Sequence, residues 1–147
     1  MMNKKQQVLM LLFLMSFQLF SQSQKVTYKP INFADCDMNG MLIGAEKIPQ
    51  WNCDSITIVQ YMNKNVKDIL MANVKSGKIV LCFLINADGK TCCSSFTNMT
   101  NCELNPLAFK DAINNMPNWI SGKQNGYDAK CLKTLVLDIH NGQFIEK

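Results

Sequence analysis

Hydrophobic residues recur at three- and four-residue intervals in two stretches of the chain, and this spacing predicts two amphipathic helices. Asp54 or Ser55 can cap the first, whose apolar face we assign to the core: Ile58, Val59, Met62, Val66, Ile69 and Leu70. Asn105 caps the second, and Pro106 occupies its first helical position, where a missing N–H has no cost. The apolar positions of this second helix are Phe109, Ala112, Ile113 and Met116.

Three further stretches have the patterns of strands. Residues 78–86 are β-branched and apolar on both faces, which predicts a central strand. Asp88 and Gly89 then signal a tight hairpin turn, and residues 90–97 predict a more polar second strand. In residues 130–140 apolar positions alternate, so a third strand has one face formed by Cys131, Leu135, Leu137 and Ile139, interrupted by Lys133.

The order helix, strand, hairpin, strand, helix, strand predicts an α+β fold. Two helices packed on one face of a small three-stranded antiparallel sheet would satisfy this order. The first two strands pair through the tight turn, so the third joins one edge of that hairpin. Such a sheet keeps free edges, and a free edge exposes unpaired backbone N–H and C=O groups.

The first 23 residues are typical of a secretory signal peptide. Lys4 and Lys5 precede an apolar run at residues 8–20, and small residues follow at 21–23. The run is about 13 residues long, whereas a bilayer span needs roughly 20. We expect cleavage near Ser23 and no membrane span afterwards, with an uncleaved anchor as the alternative. Residues 24–44 then form an irregular lead-in, and residues 45–147 form one domain.

Export affects how the charge and the cysteines are interpreted. Loss of Lys4 and Lys5 lowers the formal net charge from +4 to about +2, too weak a charge to indicate nucleic-acid binding. The chain has seven cysteines, an odd number, so at least one thiol is free or pairs with another molecule. Cys92 and Cys93 are adjacent, and we expect one of them to reach Cys102. Cys82 fits a buried apolar position.

Three patches of the sequence resemble the C-terminal domain of the TonB family of energy transducers. The first combines residues 49–51 with residues 61–66, and the second is the strand and hairpin at residues 77–90. The third and most specific runs from residue 108 to residue 135 and includes Met116-Pro117-Asn118-Trp119 and Gly122-Lys123-Gln124-Asn125-Gly126. The resemblance covers residues 45–139. It implies a module of the gram-negative periplasm that grips an extended segment of an outer-membrane receptor.

The chain departs from this family pattern in several places. Asp68-Ile69 stands where the family usually has Tyr-Pro, and Ser121 and Val136 replace two family prolines. A full transducer also has a membrane anchor and a proline-rich spacer, and we expect neither here. We therefore expect a stand-alone exported domain, periplasmic or secreted, that cannot by itself transmit force.

The resemblance also implies where a protein partner would bind. By β-strand addition an extended segment would pair with the last strand, at Lys130, Leu132, Thr134 and Val136. Trp119 would be an amphipathic anchor and Lys123, Gln124 and Asn125 would be donors. In the alternative interpretation Trp119 covers the end of the core and residues 123–125 form a solvated turn. Asp88, Gly89 and Pro117 shape turns, and Gly122 and Gly126 are expected at positive φ.

The sequence favours a binding module over an enzyme. His140 is the only histidine, and the residues show no paired carboxylates, phosphate-binding glycine loop or metal motif, so we predict neither a metal nor a cofactor. An envelope protein segment is the expected partner. Two alternatives remain: a structural module that self-associates through the same edge as a homodimer, and a thiol-active protein that uses Cys92, Cys93 or Cys102.

Overall fold

A computed structural model describes residues 28–146, so the predicted signal peptide lies outside the described residues. These residues form two α-helices, one 3-10 helix and seven strands. In chain order the elements are β1 (Ile31–Asn32), α1 (Ile58–Asn65), the 3-10 helix (Ile69–Asn73), β2 (Ser76–Ile85), β3 (Thr91–Met99), α2 (Pro106–Asn114), β4 (Gly122–Gln124), β5 (Tyr127–Ala129), β6 (Cys131–His140) and β7 (Gln143–Ile145). Neither α-helix is long and apolar enough to cross a bilayer.

The fold is α+β, but the predicted three-stranded sheet is wrong. Within the described residues the main sheet has five antiparallel strands in the order β1-β3-β2-β6-β7, and β4 and β5 form a separate two-stranded sheet. The three predicted strands are β2, β3 and β6, the long ones. The strands that were missed have only two or three residues each. Alternation of apolar and polar residues cannot be recognised over so few positions.

Both helices contribute to one core on one face of the main sheet. Tyr61 and Met62 of α1 and Phe109 and Ile113 of α2 belong to the same buried cluster. Alternate residues of β2 face this cluster and are completely buried: Ile79, Leu81, Phe83 and Ile85. Because alternate strand residues share one face, the two helices pack on the same side of the sheet.

The first helix is shorter than its apolar spacing suggests. Its cap is Thr57, not Asp54 or Ser55, because the Thr57 side chain and Gln60 form a capping box. The helix ends at Asn65, and the Asp68 carboxylate caps a separate 3-10 helix by accepting a hydrogen bond from Leu70 N at 2.9 Å. Ile69 is therefore 88% exposed and Leu70 is 39% exposed, so their predicted places in the core are wrong.

The lead-in is ordered by the sheet. β1 pairs with β3 at one sheet edge, and a disulfide joins Cys36 to Cys92. The expected link from Cys92 or Cys93 to Cys102 is wrong, because pairing with β3 brings the lead-in cysteine next to Cys92. The free thiols are Cys53, Cys82, Cys93, Cys102 and Cys131, which confirms that at least one is unpaired.

Candidate functional site

Trp119 lies in the core and covers one end of it. The residue is only 4% exposed, and its ring makes edge contacts with the rings of Trp51, at 5.4 Å between centroids, and Phe83, at 5.8 Å. Its backbone N donates to Gly89 O at 2.9 Å, and Gly89 has φ +82°. A Cβ on Gly89 would lie 2.3 Å from Trp119 O, so only glycine fits this contact. The Asp88-Gly89 turn thus holds the tryptophan backbone, and the buried ring is not positioned to contact a partner.

The residues after Trp119 are held by the lead-in. Lys123 exchanges two backbone hydrogen bonds with Lys47, at 2.9 and 3.1 Å. Glu46 N donates to Gln124 Oε1 at 3.2 Å, and Asn125 N donates to the Glu46 carboxylate at 2.9 Å. The Gln124 amide also donates from Nε2 to Glu46 Oε1 at 3.3 Å, and the Lys123 ammonium donates to Asp128 Oδ1 at 3.0 Å. These donors, expected to serve a partner, are therefore used within the chain.

The two glycines of this loop have different roles. Gly126 has φ +81°, a backbone conformation that favours glycine. Gly122 is not at positive φ, so that expectation is wrong. A Cβ there would lie 2.5 Å from Cys131 Sγ, and close packing explains the glycine instead.

The outer edge of β6, opposite β2, is paired at its first residues. Leu42 N donates to Lys130 O and Leu132 N donates to Leu42 O, each at 2.9 Å. The Lys130 ammonium in turn donates to the Asp37 carboxylate at 2.9 Å and to Asn39 O at 3.0 Å. Lys130 and Leu132, both expected to bind a partner, therefore bind the lead-in.

The same edge is paired again at its last residues. β7 follows a tight turn and pairs Asp138 with Ile145 and His140 with Gln143. The far side of β7 is bonded as well, because the Asn63 side-chain amide donates to Phe144 O and accepts from Phe144 N, both at 2.8 Å. Asn63 thus acts as a substitute for a further strand.

Between these two paired parts lies an open segment, residues 133–137. In an antiparallel strand, alternate residues direct both N–H and C=O to the same side. Leu132 directs its N–H to this edge, so Thr134 and Val136 do the same. Among residues 28–146 nothing pairs with them there. The open segment offers about 17 Å of strand edge at 3.4 Å per residue.

Two grooves flank the open segment. The larger, which we call the Val136 groove, has a volume of about 760 Å³. It lies between β7 and the segment that leads into α1, and its apolar residues are Trp51, Ile56, Ile58, Val59, Leu135, Val136 and Ile145. The smaller, the Lys133 groove, has a volume of about 310 Å³ and is lined by Ile43, Ala45, Ile48, Pro49, Cys131, Leu132, Lys133 and Thr134.

Several apolar side chains around these grooves are exposed. Ile43 is 84% exposed and Ile48 is 65% exposed, and Val136 is 51% exposed. The Lys133 ammonium lies 6.0 Å from the centre of the Trp119 ring, above the buried end of the core. Of the residues predicted to bind a partner, only Thr134 and Val136 lie on the open segment.

The cysteine thiols and potential metal-binding side chains of the described residues do not form a common site. Burial raises the pKa of the Cys93 thiol to about 12, and burial also raises the pKa of Cys131. A hydrogen bond with the Ser55 hydroxyl lowers the pKa of Cys53, which lines the Val136 groove. Residues 28–146 contain no group of three or more His, Cys, Asp or Glu side chains that could hold a metal ion.

Comparison of the chain with protein-family models, with curated proteins and with solved structures gave no match.

Proposed function

We propose that this protein is an exported binding module that takes up an extended segment of another protein by β-strand addition at residues 133–137. The observation that supports this proposal is the interruption in pairing along β6. Leu42 pairs before the open segment and β7 pairs after it, while the outward N–H and C=O groups of Thr134 and Val136 have no partner among the described residues. A guest strand would satisfy these groups, and its side chains would enter the two flanking grooves.

The length of the open segment favours a short guest over a second copy of this chain. β6 runs from Cys131 to His140, which is longer than the open segment itself. If β6 of another copy paired here, its ends would meet Leu42 on one side and β7 on the other. A flexible peptide of about five residues, at 3.4 Å per residue, fits between them.

The resemblance to TonB C-terminal domains agrees with this proposal and suggests a partner in the gram-negative envelope, such as a segment of an outer-membrane receptor. Val136 stands where the family often has proline, so this chain has a backbone donor that the family pattern lacks. The function we propose is binding without catalysis, in the periplasm or outside the cell.

Peptide titration followed by NMR tests the proposal. We would add an acetylated and amidated hexapeptide, Val-Thr-Val-Gln-Val-Thr, to ¹⁵N-labelled protein and follow the backbone amides. We expect the largest shifts at Thr134 and Val136, with smaller shifts along the two grooves. Shifts confined to other parts of the protein would rule out this edge.

Two variants at one position separate the backbone from the side chain. Thr134→Pro removes one of the two outward N–H groups, and we expect it to weaken binding about tenfold or more, because the guest carbonyl loses its donor. Thr134→Val keeps the N–H and is the matched control, which should bind the peptide as well as the unmodified protein. Equal binding by all three proteins would contradict strand addition.

A further inference from the structure

The charge of the Val136 groove is opposite to that of the protein as a whole. The chain has a formal net charge of +4, or about +2 without Lys4 and Lys5. The groove is lined by three carboxylates, Asp54, Asp138 and Glu146, and none of its described lining residues is lysine, arginine or histidine. A local field of opposite sign next to an open backbone edge affects which guest can bind there.

The three carboxylates are in different situations. Asp138 forms an ion pair with Lys78, whose Nζ lies 3.3 Å from Asp138 Oδ1, so part of its charge is balanced. Glu146 accepts a hydrogen bond from the Thr57 hydroxyl, a neutral donor that does not offset the formal negative charge of the carboxylate. Asp54 is exposed on the segment that leads into α1. The charge available to a guest therefore comes mainly from Asp54 and Glu146.

The walls of the groove are mainly aliphatic. Ile56 and Ile58 lie on the helix side, and Leu135, Val136 and Ile145 lie on the sheet side. A lysine or arginine side chain suits this combination, because its carbon stem packs on aliphatic surface while its charged end reaches carboxylates at the rim. A purely apolar guest would use the walls and leave the carboxylates unused.

The other end of the open segment has the opposite sign. Lys133 lines the smaller groove, together with exposed isoleucines. A cationic guest residue would be repelled there and attracted at the Val136 end. The two grooves therefore give the guest a preferred position as well as a preferred charge.

We infer that the guest is a short aliphatic segment with a basic side chain that enters the Val136 groove between Asp54 and Glu146. This inference rests on the proposed strand addition at residues 133–137. A unit charge 4 Å from another is worth about 1 kcal/mol in water, which corresponds to about fivefold in affinity. Moderate selectivity for charge is therefore expected, and it should decrease as the salt concentration rises.

The test uses three peptides that differ at one position: Val-Thr-Val-Lys-Val-Thr and its glutamine and glutamate versions, all acetylated and amidated. We expect the lysine peptide to bind about fivefold more tightly than the glutamine peptide at low salt, and the glutamate peptide to bind about fivefold more weakly. All three should shift the amides of Thr134 and Val136. The difference between the peptides should shrink at 0.5 M salt.

Protein variants assign the preference to the groove. Asp54→Asn should reduce the ratio of lysine to glutamate affinity about fivefold. Asp111→Asn, at an exposed position on α2 outside the groove, is the matched control and should leave the ratio unchanged.

The possible outcomes test the preference for a basic guest separately from the proposed strand addition. Equal affinity of the three peptides, or tighter binding of the glutamate peptide, with shifts at Thr134 and Val136 would overturn the charge inference and leave strand addition intact. If no peptide shifts these amides, both would be overturned.

Discussion

The loop at residues 119–126 looks like the binding surface from its sequence, whereas in the structure the open segment of β6 at residues 133–137 is the better candidate. The loop has the conspicuous residues, a tryptophan and two glycines, yet its ring is buried and its backbone is paired with Lys47. The open segment has ordinary residues, such as Thr134 and Val136, yet its outward backbone groups have no partner among the described residues. A candidate binding surface is thus recognised by the hydrogen-bonding groups that the fold leaves unused, and unusual side chains are a weaker signal.

The largest expected effect comes from the loop. Trp119→Ala should lower the free energy of unfolding by about 3–5 kcal/mol, as is usual for removing a buried aromatic side chain. Tyr127→Ala is the control, since Tyr127 is 78% exposed on β5 and its loss should change stability by about 0.5 kcal/mol or less. Urea denaturation of both variants measures the difference. A loss below about 1 kcal/mol for Trp119→Ala would mean that the ring is free to serve as a partner anchor. That result would contradict the contrast between a buried loop and an open segment of β6.

Proline substitution compares the paired and open parts of β6 directly. Leu132→Pro removes the N–H that bonds to Leu42 O and should cost about 1–3 kcal/mol of stability, because a partly buried carbonyl loses its donor. Thr134→Pro removes an N–H that directs outward without a described partner, and proline is tolerated at such edge positions, so its cost should stay below about 1 kcal/mol. Chemical denaturation measures both. Equal losses would show that residue 134 is paired in solution.

The long elements of the fold were predictable from the sequence because each has enough residues to show a period. The strands at β2, β3 and β6 and the α2 helix with its Asn105 cap follow this rule. The extent of α1 was not predictable in this way. Ile69 and Leu70 continue its apolar spacing, but the helix ends before them and Asp68 caps a separate 3-10 helix. Local capping by a single carboxylate overrode the apolar pattern there.

The candidate site was only partly predictable, for a different reason. The last strand was predicted from its alternating apolar residues, and the family resemblance identified Thr134 and Val136 on it as partner-binding residues. Which part of its edge stays open depends on Leu42, which is distant in sequence from Thr134, on where the short strand β7 with Ile145 pairs, and on the Cys36–Cys92 link. Pairings of such short segments have no signature in composition or spacing. The acidic character of the Val136 groove likewise arises from residues 54, 138 and 146, which only the fold brings together.

The smallest expected effect concerns how firmly the lead-in holds the paired part of β6. Hydrogen bonds from the Lys130 ammonium and from Asn39 N lower the pKa of Asp37 below its ordinary value of 3.8. A carboxylate with a lowered pKa stabilises the folded state above its unfolded pKa, and this contribution is lost as the pH falls through the folded pKa. The lead-in should therefore be held fully at neutral pH and loosen only below pH 3.8.

Hydrogen exchange of the Leu42 amide measures this loosening, because that amide donates to Lys130 O. In the unmodified protein we expect protection of Leu42, corrected for the intrinsic exchange rate, to fall as the pH drops below 3.8, while protection of core amides such as Leu81 stays constant. In Lys130→Gln the protection should be lower at neutral pH and should depend less on pH, because only the hydrogen bond from Asn39 N to Asp37 remains. If Leu42 protection is the same in both proteins at every pH, Asp37 and Lys130 do not hold the lead-in. The boundary between the paired and open parts of β6 would then depend on backbone pairing and on the disulfide alone.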